Sequence, residues 1–476
     1  MTTFPNLIGG EWTMGTNSVP NVNPSDTNDI IGEAASATAD EMNTAIEVAH
    51  AAQAGWGAST PQQRFDVLDT IATEILARKE ELGELLAREE GKTLPEGIGE
   101  VARAGQIFKF FAGEALRIPG ERLDSVRPGV EVDMRREAVG VIGLITPWNF
   151  PIAIPAWKAA PALCYGNAVV LKAAEAVPGS AWALADIIHR SGLPAGVFNL
   201  VNGRGSEIGP VMIDHPKVAA VSFTGSVQTG RSVAQACAKN LKKVQLEMGG
   251  KNPMVVLDDA DLDVAVGACL NGAFFSTGQR CTASSRLIVT EGIYDDFVAA
   301  LSKAVRALKV GDARDSATQI GPVIDERQLA KDLEYVEIAK AEGAKLACGG
   351  EKIDGKGHFM APALFVDTTN DMRINREEVF GPVATVIKAK DYDEALAIAN
   401  DTEFGLSAGI CTTSLKYATD FKARSKAGMV MVNLPTAGVD YHVPFGGTKG
   451  SSYGSREQGR YAVEFYTTVK TSYTQA

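Results

Sequence analysis

The sequence predicts an α/β protein: two doubly wound, Rossmann-like parallel-sheet lobes with a small β segment set apart for oligomerisation. Three observations carry this expectation. Apolar residues recur at helical spacing between about Thr38 and Phe111, as in Phe65, Leu68, Ile71, Ala72 and Ile75. From Val139 short apolar runs alternate with helical stretches. A second rhythm of the same kind starts near Asn252 and continues to about Met431. Strands joined by helical crossovers run parallel, because the crossover returns the chain to the end of the sheet from which it left.

In the first lobe, the runs 140–145, 168–171, 197–201 and 219–223 read as strands apolar on both sides, as a sheet covered by helices on both faces requires. In the second, 254–257 reads as a strand, 262–276 as a helix and 286–290 as a strand. Two segments differ. Residues 128–136 and 464–473 alternate apolar and polar residues, the latter around Phe465, Val469 and Tyr473, so each needs a partner, either the other or a second subunit.

The chain has 476 residues, 45% hydrophobic and 22% charged, the composition of an ordinary globular protein with a sizeable core. A net charge of -12 argues against general affinity for nucleic acid or anionic membrane. Residues 1–12 have no charged stretch followed by an apolar one, and no apolar run reaches membrane-spanning length, so a cytoplasmic protein is expected. Six cysteines without a CxxC pair and five dispersed histidines suggest neither a disulfide framework nor a metal site.

Five segments can carry chemistry. Gly278-Gln-Arg-Cys281-Thr-Ala is a polar turn between an apolar helix and a strand, able to present a thiol. Gln245-Leu-Glu247-Met-Gly-Gly places a carboxylate before two glycines that allow close backbone approach. Thr146-Pro-Trp-Asn149-Phe-Pro sets an amide in a proline-bracketed turn at a strand's carboxyl end, where open α/β sheets bind ligands. Phe223-Thr-Gly225-Ser226 leads from a strand into a helix whose first N–H groups could face a pyrophosphate, and Lys172 and Glu175 sit just past another strand. Each has an ordinary reading by itself: a buried thiol, a solvated acid, a turn asparagine, a structural strand-to-helix turn and an exposed ion pair.

Together these segments resemble the aldehyde dehydrogenase superfamily across nearly the whole chain. PWNFP, FTGS, EMGGKNP, GQRCTA, EEVFGPV and PFGGTKGSSYG occur in the family's order. The resemblance implies Cys281 as attacking thiolate, Glu247 as the base that activates water, and Asn149 with the Cys281 N–H as oxyanion hole, with Lys158 also in the catalytic set. It implies NAD or NADP as cofactor, held by Thr146, Pro147, Trp148, Lys172, Glu175, Gly205, Gly225, Ser226, Glu378 and Phe380. The acid Glu175 favours NAD, since it repels a 2′-phosphate. On the substrate side it implies Phe150, Arg280, Thr282 and Pro435. The implied domains are 1–120 with 140–246 for the cofactor, 247–432 for the nucleophile, 121–139 with 455–476 for association into a homodimer or homotetramer, and 433–454 as a substrate-side bridge.

Glu247 favours hydrolysis over transfer of the acyl group to coenzyme A or phosphate. An inactive binding protein on this fold would be expected to lack Cys281 or Glu247. The stretches 433–447 and 451–459 are similar to the 2-oxoglutarate semialdehyde (2,5-dioxovalerate) branch, with succinate semialdehyde the main alternative substrate and broad aliphatic aldehydes a further one. Arg280, and next Arg286, are the candidates for a substrate carboxylate.

Overall fold

The computed structural model describes residues 2–475. Its centre is an eight-stranded sheet. Val141–Ile145 lies between Val218–Thr224 on one side and Ala168–Lys172 on the other, all parallel. Lys243–Glu247 continues the sheet beyond Val218–Thr224, and Phe198–Leu200 continues it beyond Ala168–Lys172. Side chains alternate between faces, as the pleat demands: Ile142 and Leu144 pack with Phe108, Phe111 and Leu163, while Val141, Val170 and Val221 pack with Met42 and Ile46. The four-helix stretch Ala39–Gly57, Pro61–Ala77, Lys79–Glu90 and Leu94–Ala115 bears out the helical reading of the N-terminal part.

The second lobe is a seven-stranded sheet in which Pro253–Val256, Arg286–Thr290, Val383–Ala389 and Ser407–Cys411 are parallel neighbours. Neither sheet is wholly parallel. Lys345–Cys348 closes one edge of the second antiparallel, and Ser452–Tyr453 and Asn6–Ile8 join the first antiparallel. The sequence reading passed over the strands before residue 38. Glu11–Thr13 extends the large sheet, and Thr2–Phe4, Ser18–Val22 and Ile30–Ala35 form a three-stranded sheet of their own.

Of the two alternating segments, Val130–Ala138 pairs antiparallel with Thr467–Gln475, and Gly120–Asp124 adds a third strand. Phe465 is not in that strand; it sits buried in the helical turn Val463–Tyr466, and the strand starts two residues later. The helix expected to reach residue 276 ends at Phe274, and Ser276 and Thr277 adopt left-handed φ of 50° and 56°.

Candidate active site

Five parallel strands of the large sheet end side by side, and the chain reverses its direction of strand addition between Val141–Ile145 and Val218–Thr224. Such a switch point opens a crevice at the strands' carboxyl ends. The loops leaving these two strands line a cavity of about 190 Å³, with Pro147, Trp148 and Asn149 from one and Gly225 and Ser226 from the other. Glu378 and Phe380 enter from the second lobe. A larger cavity of about 320 Å³ lies beyond, lined by Phe150, Trp157, Arg280, Thr282 and Phe445 among others. Among the described residues, Cys281 is the one that lines both.

The turn that presents Cys281 is held in a costly conformation. Three successive residues, Ser276, Thr277 and Gly278, have positive φ, and at Gly278 a Cβ would stand 2.2 Å from the Gly381 carbonyl. Bonds from outside fix it. Glu96 accepts from the Ser276 N–H at 2.8 Å, Asn149 Nδ2 donates to the Gln279 carbonyl at 2.9 Å, and Asn252 Nδ2 donates to the Cys281 carbonyl at 2.8 Å. Burial, with Glu378 and Glu247 nearby, pushes the Cys281 thiol up to about 12.

Asn149 is placed by two side chains absent from the sequence reading. Lys92 donates to the Asn149 carbonyl and to Glu100 Oε2, both at 2.7 Å, and Glu100 Oε1 accepts from the N–H groups of Ile152 and Ala153, where the helix Ala153–Cys164 begins. Both charges are buried. Such a pair defines geometry more than it adds stability, because desolvation offsets most of the attraction.

Glu247, at the end of its strand, lines neither cavity. Strand pairing sets it opposite Ser452, whose hydroxyl donates to Oε2 at 2.5 Å. Burial, then the negative charge of Glu457, hold its carboxyl well above the usual carboxylate range, and the Ser452 bond works the other way. Lys158 is fully buried in an ion pair with Glu457 and donates to Ser222 Oγ at 2.7 Å; it lines neither cavity, so it does not reach the reacting groups as its expected place in the catalytic set requires. Its contact is with the group that sets the charge environment of Glu247.

The remaining cofactor candidates cluster at the neighbouring strand ends. Glu175 Oε1 accepts from the Gly205 N–H at 2.7 Å, with Lys172 Nζ at 3.7 Å. The cleft fits a dinucleotide on its own features. The Thr146 and Thr224 hydroxyls are buried there without partners, and Ser226 caps a helix of 13 residues whose first N–H groups point outward. Phe380, at a left-handed φ of 69°, meets Trp148 edge-on at 5.4 Å.

Three substrate-side expectations change. Arg280 lines the large cavity, but its guanidinium is paired with Glu96 at 3.0 Å. Arg286 is buried away from the cavity, donating to the Ile398 carbonyl at 2.5 Å and Asn370 Oδ1 at 2.8 Å, so it has no access to substrate. Pro435 does not reach the wall; Ala437, Gly438 and Val439 of the same loop do, while Thr436 bonds the Thr282 carbonyl at 2.6 Å. Gly99 and Arg103 also line the cavity and were missed.

A two-lobed α/β chain with a thiol between a cleft at a strand switch point and a second cavity has the layout of an enzyme of the covalent type. The pattern of the aldehyde dehydrogenase family matches residues 12–472, and the chain belongs to that family, as an NAD(P)-dependent oxidoreductase acting on aldehydes. It is 43% identical to an alpha-ketoglutaric semialdehyde dehydrogenase of Bacillus subtilis (strain 168), over 99% of this chain and 98% of that one. It is 39% identical to the succinate-semialdehyde dehydrogenase [NADP(+)] GabD of Escherichia coli (strain K12), over 98% and 96%. The betaine aldehyde dehydrogenase of Staphylococcus aureus in complex with NAD+ superposes with a TM-score of 0.97 at 36% identity, covering 99% of this chain and 95% of that one.

Proposed function

We propose that this chain oxidises 2-oxoglutarate semialdehyde, or a similar short semialdehyde acid, to the dicarboxylate by covalent catalysis with hydrolysis. The observation that carries the mechanism is Cys281 in the wall of both cavities. Its sulfur gives up its proton to solvent and attacks the aldehyde carbon from between them, forming a C–S bond as the carbonyl π pair moves onto oxygen. Asn149 Nδ2, with the N–H not given to the Gln279 carbonyl, and the Cys281 N–H serve as donors to the resulting oxyanion, and preorganised donors of this kind contribute about 2.7–4 kcal/mol each. NAD(P)+, which Trp148, Ser226, Glu378 and Phe380 of the smaller cavity would hold, would supply the hydride acceptor for oxidation of the adduct to a thioester. Glu247 then takes a proton from water, the water oxygen attacks the thioester carbon and the C–S bond breaks, releasing acid and thiolate.

The acidic substrate is supported by Arg103, the basic residue of the larger cavity without an ion pair among the described residues, and by the likeness to alpha-ketoglutaric semialdehyde dehydrogenase; the succinate semialdehyde relative keeps the shorter acid as the alternative. Glu175 at the cleft favours NAD over NADP. Exposed Leu123, Val469 and Tyr473 on the three-stranded sheet, with two unpaired edges, support a dimer or tetramer. Six free thiols suit a reducing, cytoplasmic setting. The test is kcat/KM for 2-oxoglutarate semialdehyde, succinate semialdehyde and pentanal without coenzyme A. The acids should exceed pentanal, the five-carbon acid most; equal values, or NADH formation only with coenzyme A, would refute the reading.

A further inference from the structure

The larger cavity holds three basic side chains, Lys92, Arg103 and Arg280, and two are already neutralised. Lys92 is paired with Glu100, and Arg280 with Glu96. Arg103 has no ion pair among the described residues. Its Nη2 donates to Gln458 Oε1 at 3.1 Å, and its Nε is buried without an acceptor. The nearby acids do not serve it: Glu100 is taken by Lys92 and by two backbone N–H groups, and Asp440 is exposed and forms no ion pair with it. A half-buried cation with no ion pair and an unserved Nε is costly, and an anion entering the cavity relieves that cost.

The surroundings hold the group in place and leave room before it. Trp157 stands beside it, with the ring centroid 5.9 Å from Cζ. Gln458, fully buried with a left-handed φ of 58°, is a rigid anchor within the 451–459 stretch. One helical turn before Arg103, Gly99 lines the same cavity, and a Cβ built there meets nothing within 4 Å. Space and a planar guanidinium with donors still free thus lie on one face of the helix Leu94–Ala115.

We propose that Arg103, anchored by Gln458, binds the distal carboxylate of the aldehyde, and that Arg280 instead braces the Cys281 turn through Glu96. This rests on the reading of the substrate as a short semialdehyde acid. A 2-oxo acid suits the site, since its keto and carboxylate oxygens are coplanar acceptors for two parallel N–H bonds. The position also selects: Arg103 rewards the acid, and Gly99 leaves the length that a five-carbon chain needs.

The experiment compares wild type, Arg103→Met, Arg103→Lys and Arg280→Leu on 2-oxoglutarate semialdehyde, succinate semialdehyde and pentanal, with inhibition by glutarate as a readout free of turnover. In Arg103→Met the ratio of kcat/KM for the five-carbon acid to that for pentanal should fall about thirtyfold or more, chiefly through KM. Glutarate inhibition should weaken in parallel. Arg103→Lys, which keeps the charge but not the fork, should fall part of the way, and it carries the test if the methionine variant does not fold. Arg280→Leu should slow all three aldehydes alike. An acid preference and glutarate inhibition left intact in both Arg103 variants would overturn the assignment while leaving the substrate reading standing. A wild type without acid preference would overturn the substrate reading, and the role of Arg103 with it.

Discussion

Ser452→Ala removes the hydroxyl that donates to Glu247 Oε2 at 2.5 Å, a bond that favours the ionised carboxyl. Burial and the charge of Glu457 already hold that carboxyl above its usual range. Without the hydroxyl it moves further up, so the pH at which Glu247 can take a proton from water rises. A hydrogen bond to a charged group is worth about 1.5–3 kcal/mol, or roughly ten- to a hundredfold in the ionised fraction below the midpoint. The rate of thioester hydrolysis at a pH below that midpoint should fall by the same factor and recover as pH rises. Glu457→Gln should act oppositely, since it removes a like charge and leaves Lys158 unpaired nearby, and the rising limb should move to lower pH. The assay is the slow phase after the NADH burst, followed from pH 5 to 9. The burst itself should change little in either variant. A limb that stays in place in both, or moves up on loss of Glu457, would refute the electrostatic account of Glu247.

Other outcomes follow from the same geometry. Glu175→Gln removes the negative charge beside the Gly205 N–H and should raise kcat/KM for NADP+ relative to NAD+ by about tenfold, read from initial rates with each cofactor. Sedimentation velocity at micromolar concentration should give a dimer or tetramer, and Val469→Asp with Tyr473→Asp should shift it toward monomer. A wild-type monomer would contradict the interface role of the three-stranded sheet.

The legible parts of this molecule were those where chemistry and local structure coincide in one short stretch. The 146–151 loop could be placed at a strand end because an apolar run precedes it and two prolines stiffen it, and the Cys281 turn because polar and glycine residues interrupt an apolar helix. The reading failed where function depends on what covers a face. Glu96, Gly99, Glu100 and Arg103 recur at helical spacing on one side of Leu94–Ala115. A stripe with such charges is ordinarily solvated, and nothing local says that the Asn149 loop and the Cys281 turn cover this one. Adjacency misled in the same way. Arg280 is next to the nucleophile in sequence, yet Glu96, 184 residues away, takes its charge. Three of the first strands were missed because three-residue runs such as Asn6–Ile8 are too short to show a period. Phe465 fitted an alternating pattern by spacing alone, while a buried helical turn claimed it.

The central claim is that Cys281 becomes acylated during turnover and that Glu247 releases the acyl group. The direct measurement is the intact mass of the Glu247→Gln enzyme, quenched in acid after mixing with NAD+ and 2-oxoglutarate semialdehyde, followed by peptide mapping. The account predicts one acyl group per active site on the Cys281 peptide, formed with the NADH burst and absent in the Cys281→Ala variant, which should still bind NAD+. Turnover by Cys281→Ala, or an acyl group carried on another residue, would contradict it.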